Sequence, residues 1–237
     1  MGRAFEYRKE RKMKRWAGMA KAFTRIGREI AIAVKEGGAD PEYNPRLRLA
    51  MQNAKTANMP KVNVENAIKN AISKDAEDYE EITYEGYAPH GVAMVVETAT
   101  NNPTRTVASV RHIFSKYGGS LGTSGSVDYM FDRIATFKVD AEGQDPEELE
   151  LSLIDYGLEE LSKEDDRIVL KCAFEDFGNL QKGLEELGLE VKESEIVRIP
   201  SHYKELSDDE VEDVIKIIEK MEEDDDVVNV FHNMSEE

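Results

Sequence analysis

The sequence predicts an α+β protein, and three observations predict it. Apolar residues recur at helical spacing through a basic first third of the chain. Strand-like and helical runs then alternate, and Gly, Pro and Asn pairs punctuate them. Together these read as an N-terminal three-helix bundle with a basic arm, followed by two small ferredoxin-like split β-α-β domains, one inserted in the other.

In chain order, residues 1–18 form the basic arm. A first helix is expected over about 19–35, with Phe23, Ile26, Ile30 and Ala33 on one face and Gly37-Gly38 as its stop. Asn44-Pro45 opens a second helix, on which Leu47, Ala50 and Ala54 share a stripe; Met59-Pro60 ends it. Asn63 is placed to cap a third, bearing Ala67, Ile68, Ala71 and Ile72. Residues 75–81 form an acidic linker where the composition changes sign. Strands are then expected at 82–84 and 92–98, and a helix opens at Asn102-Pro103 with Val107, Val110, Phe114 and Tyr117 in register. Gly118-Gly119 closes that helix before strands at 127–131 and 134–139. A helix from Asp145-Pro146 to about Leu161, a strand at 168–174, a helix stopped by Gly188 and a strand at 191–199 follow. A last helix with Val211, Val214, Ile215 and Ile218 leads to a strand at 227–232. Residues 80–133 lack the second helix and last strand of a split β-α-β sandwich, and 207–237 supply one of each. The expected division is therefore 1–76, then 77–133 with 206–237 as a discontinuous domain, and 134–205 inserted.

Net charge of −18 over 237 residues conceals two opposed blocks. Residues 1–74 hold 17 Lys/Arg against 7 Asp/Glu, a charge of +10, and the remainder carries −28. Such a division suits a chain that grips a polyanion at one end and turns its acidic surface away. No apolar run reaches membrane-spanning length, and the first residues lack the apolar core of a secretory signal. The single cysteine, Cys172, lies in an apolar run and reads as a buried, inert thiol in a reducing compartment, with the cytoplasm as the expected location.

Catalytic patterns are lacking in the sequence. His90, His112, His202 and His232 are scattered without metal-ligand spacing, and no P-loop, His-Glu-x-x-His or Gly-x-Ser-x-Gly occurs. The expectation is a non-enzyme with no cofactor, no metal and no small-molecule substrate. Gly118–Ser126 is Gly/Ser-rich enough to cradle a phosphate, but it follows a helix and enters a strand, opposite to a dinucleotide loop. A tight connection is the favoured reading of it. Gly122, Thr123 and Ser124, with nearby Arg105, Arg111 and Lys116, are kept as secondary contact candidates.

The arm interleaves cations with aromatic side chains. Arg3, Arg8, Lys9, Arg11, Lys12, Lys14 and Arg15 can neutralise phosphates, and Trp16 can stack on an unpaired base or pack against the first helix. Lys21, Arg25, Arg28, Arg46, Arg48, Lys55 and Lys61 extend the candidate surface into the bundle.

Several segments together resemble the YebC/PmpR family: Lys35-Glu-Gly-Gly-Ala-Asp-Pro41, Ala54-Lys-Thr-Ala-Asn-Met-Pro-Lys61, Glu85-Gly-Tyr-Ala-Pro-His-Gly-Val92 and Gly119-Ser-Leu-Gly-Thr-Ser-Gly-Ser-Val127. That family includes the mitochondrial translational activator of cytochrome c oxidase. The resemblance implies three domains in the nested arrangement, no catalytic activity and no cofactor. Where many members carry His-Ser-Lys-Trp near the start, this chain has Arg3-Ala-Phe-Glu-Tyr7.

Two functional readings accompany the resemblance. One is a monomeric translation factor contacting rRNA on the ribosome through the basic arm. The alternative is a DNA-binding transcriptional regulator with the third helix as reader, its positions Asn63, Glu65, Asn66, Lys69 and Asn70 including two or three base readers. A protein-interaction module acting through its acidic face is a third class, and it leaves the basic block unexplained.

Overall fold

The computed structural model describes residues 3–73 and 77–235, with side chains from residue 19 onward. Two compact units emerge: residues 1–81 with 99–102, and residues 82–98 with 103–237.

The first unit is helical. Helix α1 spans Arg3–Gly37, α2 Pro45–Thr56 and α3 Lys61–Ile72. The sequence pattern starts the first helix near residue 19; in the structure the arm is its N-terminal half. The reason is local, since residues 8–15 are Arg, Lys, Glu and Met, all strong helix formers, with neither Gly nor Pro among them. Ile26, Ile30, Ala33 and Val34 of α1 meet Leu47, Ala50 and Ala54 of α2 and Val64 and Ala71 of α3 in one core. Asn44 locks the α1–α2 turn. Its Oδ1 accepts from Leu47 N at 3.0 Å, and its Nδ2 donates to Ala33 O and Gly38 O, both at 2.7 Å. A Cβ on Gly37 would sit 2.7 Å from the Asn44 side chain, so the turn needs glycine there. The expected Asn63 cap is not made: α3 starts at Lys61, behind Pro60, and Asn63 lies inside its first turn.

The second unit contains two four-stranded sheets. The first has the order β3-β1-β2-β8, from β1 (Glu80–Tyr87), β2 (Ala93–Thr100), β3 (Ser120–Leu121) and β8 (Val227–His232). Helices α4 (Pro103–Lys116) and α7 (Asp208–Glu223) share a core with it, built on Val92, Met94, Val96, Val110, Phe114, Val214, Ile217 and Met221. The second sheet has the order β5-β6-β4-β7, from β4 (Phe131–Asp140), β5 (Leu158–Glu164), β6 (Arg167–Ala173) and β7 (Val191–Pro200), every neighbour antiparallel. Helices α5 (Pro146–Leu153) and α6 (Phe177–Glu186) cover it over Ala135, Phe137, Leu149, Leu153, Leu170 and Leu180. The second sheet is built from one continuous stretch, whereas the first takes its last strand, β8, from the C-terminal end of the chain. This is the α+β architecture expected.

In the second unit, two of the expected elements do not form as the sequence suggests. The helix expected to reach Leu161 stops at Leu153, and β5 takes its place. Gly157 turns the chain at φ +88°, and a Cβ there would lie 2.5 Å from Asp176 Cβ, so only glycine ends the helix this way. The strand expected at 127–131 is a short 3-10 turn at Asp128–Met130, and β4 begins at Phe131. The N–H groups of Val127 and Asp128 are taken by the Glu85 carboxylate and cannot join a ladder.

Cys172 is buried in the second sheet, and burial, with Asp176 and Glu159 nearby, pushes its thiol up to about 12. Among the described residues no helix is long and apolar enough to cross a membrane, and no His/Cys/Asp/Glu group could hold a metal ion.

Candidate nucleic-acid interface

The candidate residues fall into three sets, and the structure treats each differently. Arg3, Arg8, Lys9, Arg11, Lys12, Lys14, Arg15 and Trp16 lie on the N-terminal half of α1, and their side chains are outside the described residues. A helical backbone gives their spacing a meaning. Arg8, Arg11, Lys12 and Arg15 stand at i, i+3, i+4 and i+7, one line along the helix. Glu6 and Glu10, one turn apart, belong to the opposite line. This spacing is present in the sequence, and reading the stretch as an arm hides it.

The second set lies on the bundle, and much of it is engaged within the fold. Arg28 donates from Nη1 to Ala99 O at 3.0 Å and stands over the Tyr79 ring, 5.3 Å from its centroid. Arg46 donates to Glu36 Oε2 at 2.6 Å and also pairs with Glu81. The Arg48 Nη1 donates to Pro41 O at 2.7 Å and Glu42 O at 2.9 Å. Lys61 pairs loosely with Glu65 at 3.7 Å on an exposed helix face. Lys21 and Arg25 are half-buried on α1, and Lys55 is exposed on α2. Lys35, absent from the sequence candidates, ties the acidic linker down through Asp78 and the Glu77 carbonyl.

This pairing changes where the positive charge resides. Residues 19–73 hold nine Lys/Arg and five Asp/Glu, and residues 77–81 add four more acids. The helical core and its linker are therefore balanced. Residues 1–18 hold seven cations and two acids, so the surplus lies on the first half of α1.

One carboxylate in this core is exceptional. Glu29 is half-buried on α1, and its pKa is pushed up to about 7, first by burial and then by Glu81, against the pull of Arg46 and Arg25. At neutral pH it is held between its two protonation states.

The third set belongs to the second unit. Arg105 is committed to Asp226, 4% exposed, reaching Oδ1 at 3.0 Å and Oδ2 at 2.7 Å while Thr106 Oγ1 donates to the same carboxylate at 2.7 Å. Arg111 and Lys116 are exposed on α4, and the Lys116 ammonium lies 5.6 Å from the Tyr117 ring centroid. Gly122, Thr123 and Ser124 are exposed, but the loop that carries them already holds an anion. Glu85, 5% exposed, accepts from Gly125 N at 2.6 Å and from Val127 N and Asp128 N at 2.8 Å each. Burial alone would raise this carboxyl. The three N–H groups, helped by Arg198, outweigh that and hold it below the usual range. The loop is thus a nest for the protein's own carboxylate, which agrees with the tight-connection reading. Neither Glu85 nor Asp226 is among the sequence candidates. The one clue is a lone acid inside a strand-like run, Ile82-Thr-Tyr-Glu-Gly-Tyr87.

The bundle also bears on the DNA alternative. On α3, Asn63, Glu65, Asn66, Lys69 and Asn70 are all exposed, with Val62 and Ile72 beside them.

Comparison with known proteins gives a consistent picture. Residues 3–74 match the family described as the TACO1/YebC protein N-terminal domain, and residues 79–234 match the TACO1/YebC second and third domain. A Flavobacterium johnsoniae protein named "Probable transcriptional regulatory protein" is 57% identical over 237 residues, covering all of both chains. A Porphyromonas gingivalis protein of the same name is also 57% identical, covering 100% of this chain and 98% of its own. Among solved structures, a conserved hypothetical protein of Aquifex aeolicus is 38% identical with a TM-score of 0.76, covering 91% of this chain and 90% of its own. By sequence along its whole length and by fold, this chain belongs to the TACO1/YebC family.

Proposed function

We propose that this chain is a non-enzymatic, nucleic-acid-binding regulator of gene expression, and that it acts as a translation factor contacting rRNA through the first half of α1. The observation that carries this reading is the confinement of surplus positive charge to residues 1–18, with Arg8, Arg11, Lys12 and Arg15 on one helical line. A helix with four cations along one line can follow a phosphate backbone and release counterions as it binds. The −28 carried beyond residue 74 would be repelled by the same phosphates, which orients the molecule as well as binding it. Folded rRNA offers irregular grooves and unpaired bases to such a helix, and Trp16 supplies a ring that can stack on one. The regulatory role agrees with the names carried by the relatives. We place the protein in the cytoplasm as a monomer. We also read residues 134–205 as a domain inserted into the one formed by 77–133 and 206–237, a reading that the strand order supports.

The second reading is a DNA-binding transcriptional regulator. The exposed polar face of α3 and the relatives' printed name favour it.

Co-sedimentation with purified ribosomes across a salt series tests the choice. The natural chain is compared with one in which Arg8, Arg11, Lys12 and Arg15 are all replaced by Gln. Saturable binding is expected, and the four changes should flatten the slope of log K against log salt by about 3. Unchanged sedimentation of the variant, together with sequence-specific retardation of a DNA duplex, would overturn the rRNA reading in favour of the DNA one.

A further inference from the structure

Helix α5, in the second sheet domain, carries apolar side chains on both of its faces. Leu149 and Leu153 point into the core and are buried. Leu151 on its outward side and Ile154, the first residue of the 3-10 turn Ile154–Tyr156 that continues it, are three positions apart and 73% and 53% exposed. A single exposed leucine is ordinary. A pair at i, i+3 is a continuous apolar strip, and its rim is uniform in charge. Glu147, Glu148, Glu150 and Asp155 flank it; Glu147, Glu148 and Glu150 lie on α5, and Asp155 lies beside Ile154 on the 3-10 turn. Residues 139–162 contain nine Asp/Glu and no Lys or Arg. Among the described residues, none of those four rim carboxylates is paired with a cation.

We propose that the outward face of α5 is a docking site for a basic amphipathic segment of a partner protein, a helix with apolar residues one turn apart and Lys or Arg on either side. Charge decides between occupants. Nucleic acid is excluded by its phosphates. A second copy of the chain would bring two acidic rims together and adds the repulsion of two molecules of net charge −18. A cationic helix meets both demands, covering Leu151 and Ile154 while its ammonium or guanidinium groups reach the rim. The Asp145 side chain caps α5, accepting from Glu147 N at 2.9 Å, so the strip is presented on an ordered element. The proposal is independent of the role given to the first half of α1.

The test uses the full chain and a fluorescein-labelled synthetic helix with two leucines one turn apart and a lysine rim. Fluorescence anisotropy should show saturable 1:1 binding that weakens with salt. Joint replacement Leu151→Ser with Ile154→Ser should weaken it about tenfold or more with an unchanged melting temperature, since both side chains are exposed. Glu147→Lys with Glu150→Lys should weaken it and remove most of the salt dependence. A second peptide, with serines in place of its leucines, should bind weakly and should not distinguish the natural chain from the doubly substituted one. Equal binding of the leucine peptide to those two chains would overturn the proposal, because only general attraction to an acidic protein would remain. Dimerisation in sedimentation velocity that Leu151→Ser abolishes would also overturn it, by making a second copy the occupant.

Discussion

Glu29 and Glu85 are both carboxylates withdrawn from water, and the two regions that hold them treat charge in opposite ways. In the helical unit, Glu29 faces another acid, Glu81, and is relieved only partly by Arg46 and Arg25, so its pKa rises to about 7. In the sheet unit, Glu85 receives three backbone N–H groups and stays ionised although less of its surface meets solvent. Burial alone therefore does not decide protonation. The number and aim of the donors do. The lesson carries to function: the helical unit is arranged around cations, and its acids neutralise them, whereas the sheet unit buries acids to hold its loops in place.

The largest effect that would break this contrast is Glu85→Ala. It leaves the N–H groups of Gly125, Val127 and Asp128 without their acceptor and should cost about 3–5 kcal/mol in urea denaturation. Its pH signature follows from the lowered pKa. Glu85 stabilises the fold when ionised, so its contribution is present above its ordinary value of 4.5 and is lost as pH falls through the lower folded value.

Glu29 should behave in the reverse sense. Its folded value lies above the unfolded one, so the folded state holds the extra proton, and stability falls as pH rises from 4.5 to about 7. Glu29→Gln removes that loss. It should gain up to about 3 kcal/mol over the natural chain at pH 8 and close to nothing at pH 4, read from paired denaturation curves. A flat difference across that range would show that Glu29 is ordinary.

Asp226→Asn is expected to be milder, at about 2 kcal/mol, because Asn keeps an acceptor for Thr106 while weakening the Arg105 pair. The smallest effect is Lys61→Ala. Its partner Glu65 is 3.7 Å away and both are exposed, so the change should fall below about 0.5 kcal/mol. A larger loss there would mean that the basic bundle depends on surface pairs after all.

Much of the fold was legible from local chemistry. Asn44-Pro45 announced the start of α2, Gly37-Gly38 the end of α1, and Val110 and Phe114 the buried side of α4. Strand β5 was not legible, because Leu149, Leu153, Leu158 and Leu161 suit a helical reading as well as a helix followed by a strand. The choice rests on Gly157 packing against Asp176, a contact between residues 19 positions apart. The candidate interface was legible in its charge and not in its allocation. Arg28, Arg46 and Arg105 read as phosphate ligands by residue type, and each has an internal partner supplied from at least ten residues away.

By itself the sequence determined the charge division, the family and the succession of most elements, since these depend on composition, on motifs and on spacing within a few residues. Only the tertiary structure decided which cations hold the fold and that the Gly/Ser loop encloses Glu85. It also fixed the register of β8 on β2, with Met94 opposite His232 and Thr98 opposite Val227. The loop and the sheet rest on contacts between residues 40 to 140 positions apart, as Glu85 with Gly125 and Ala93 with Asn233 illustrate. Local propensity carries no record of such partners, because an isolated segment has the same preferences whichever distant residue it meets.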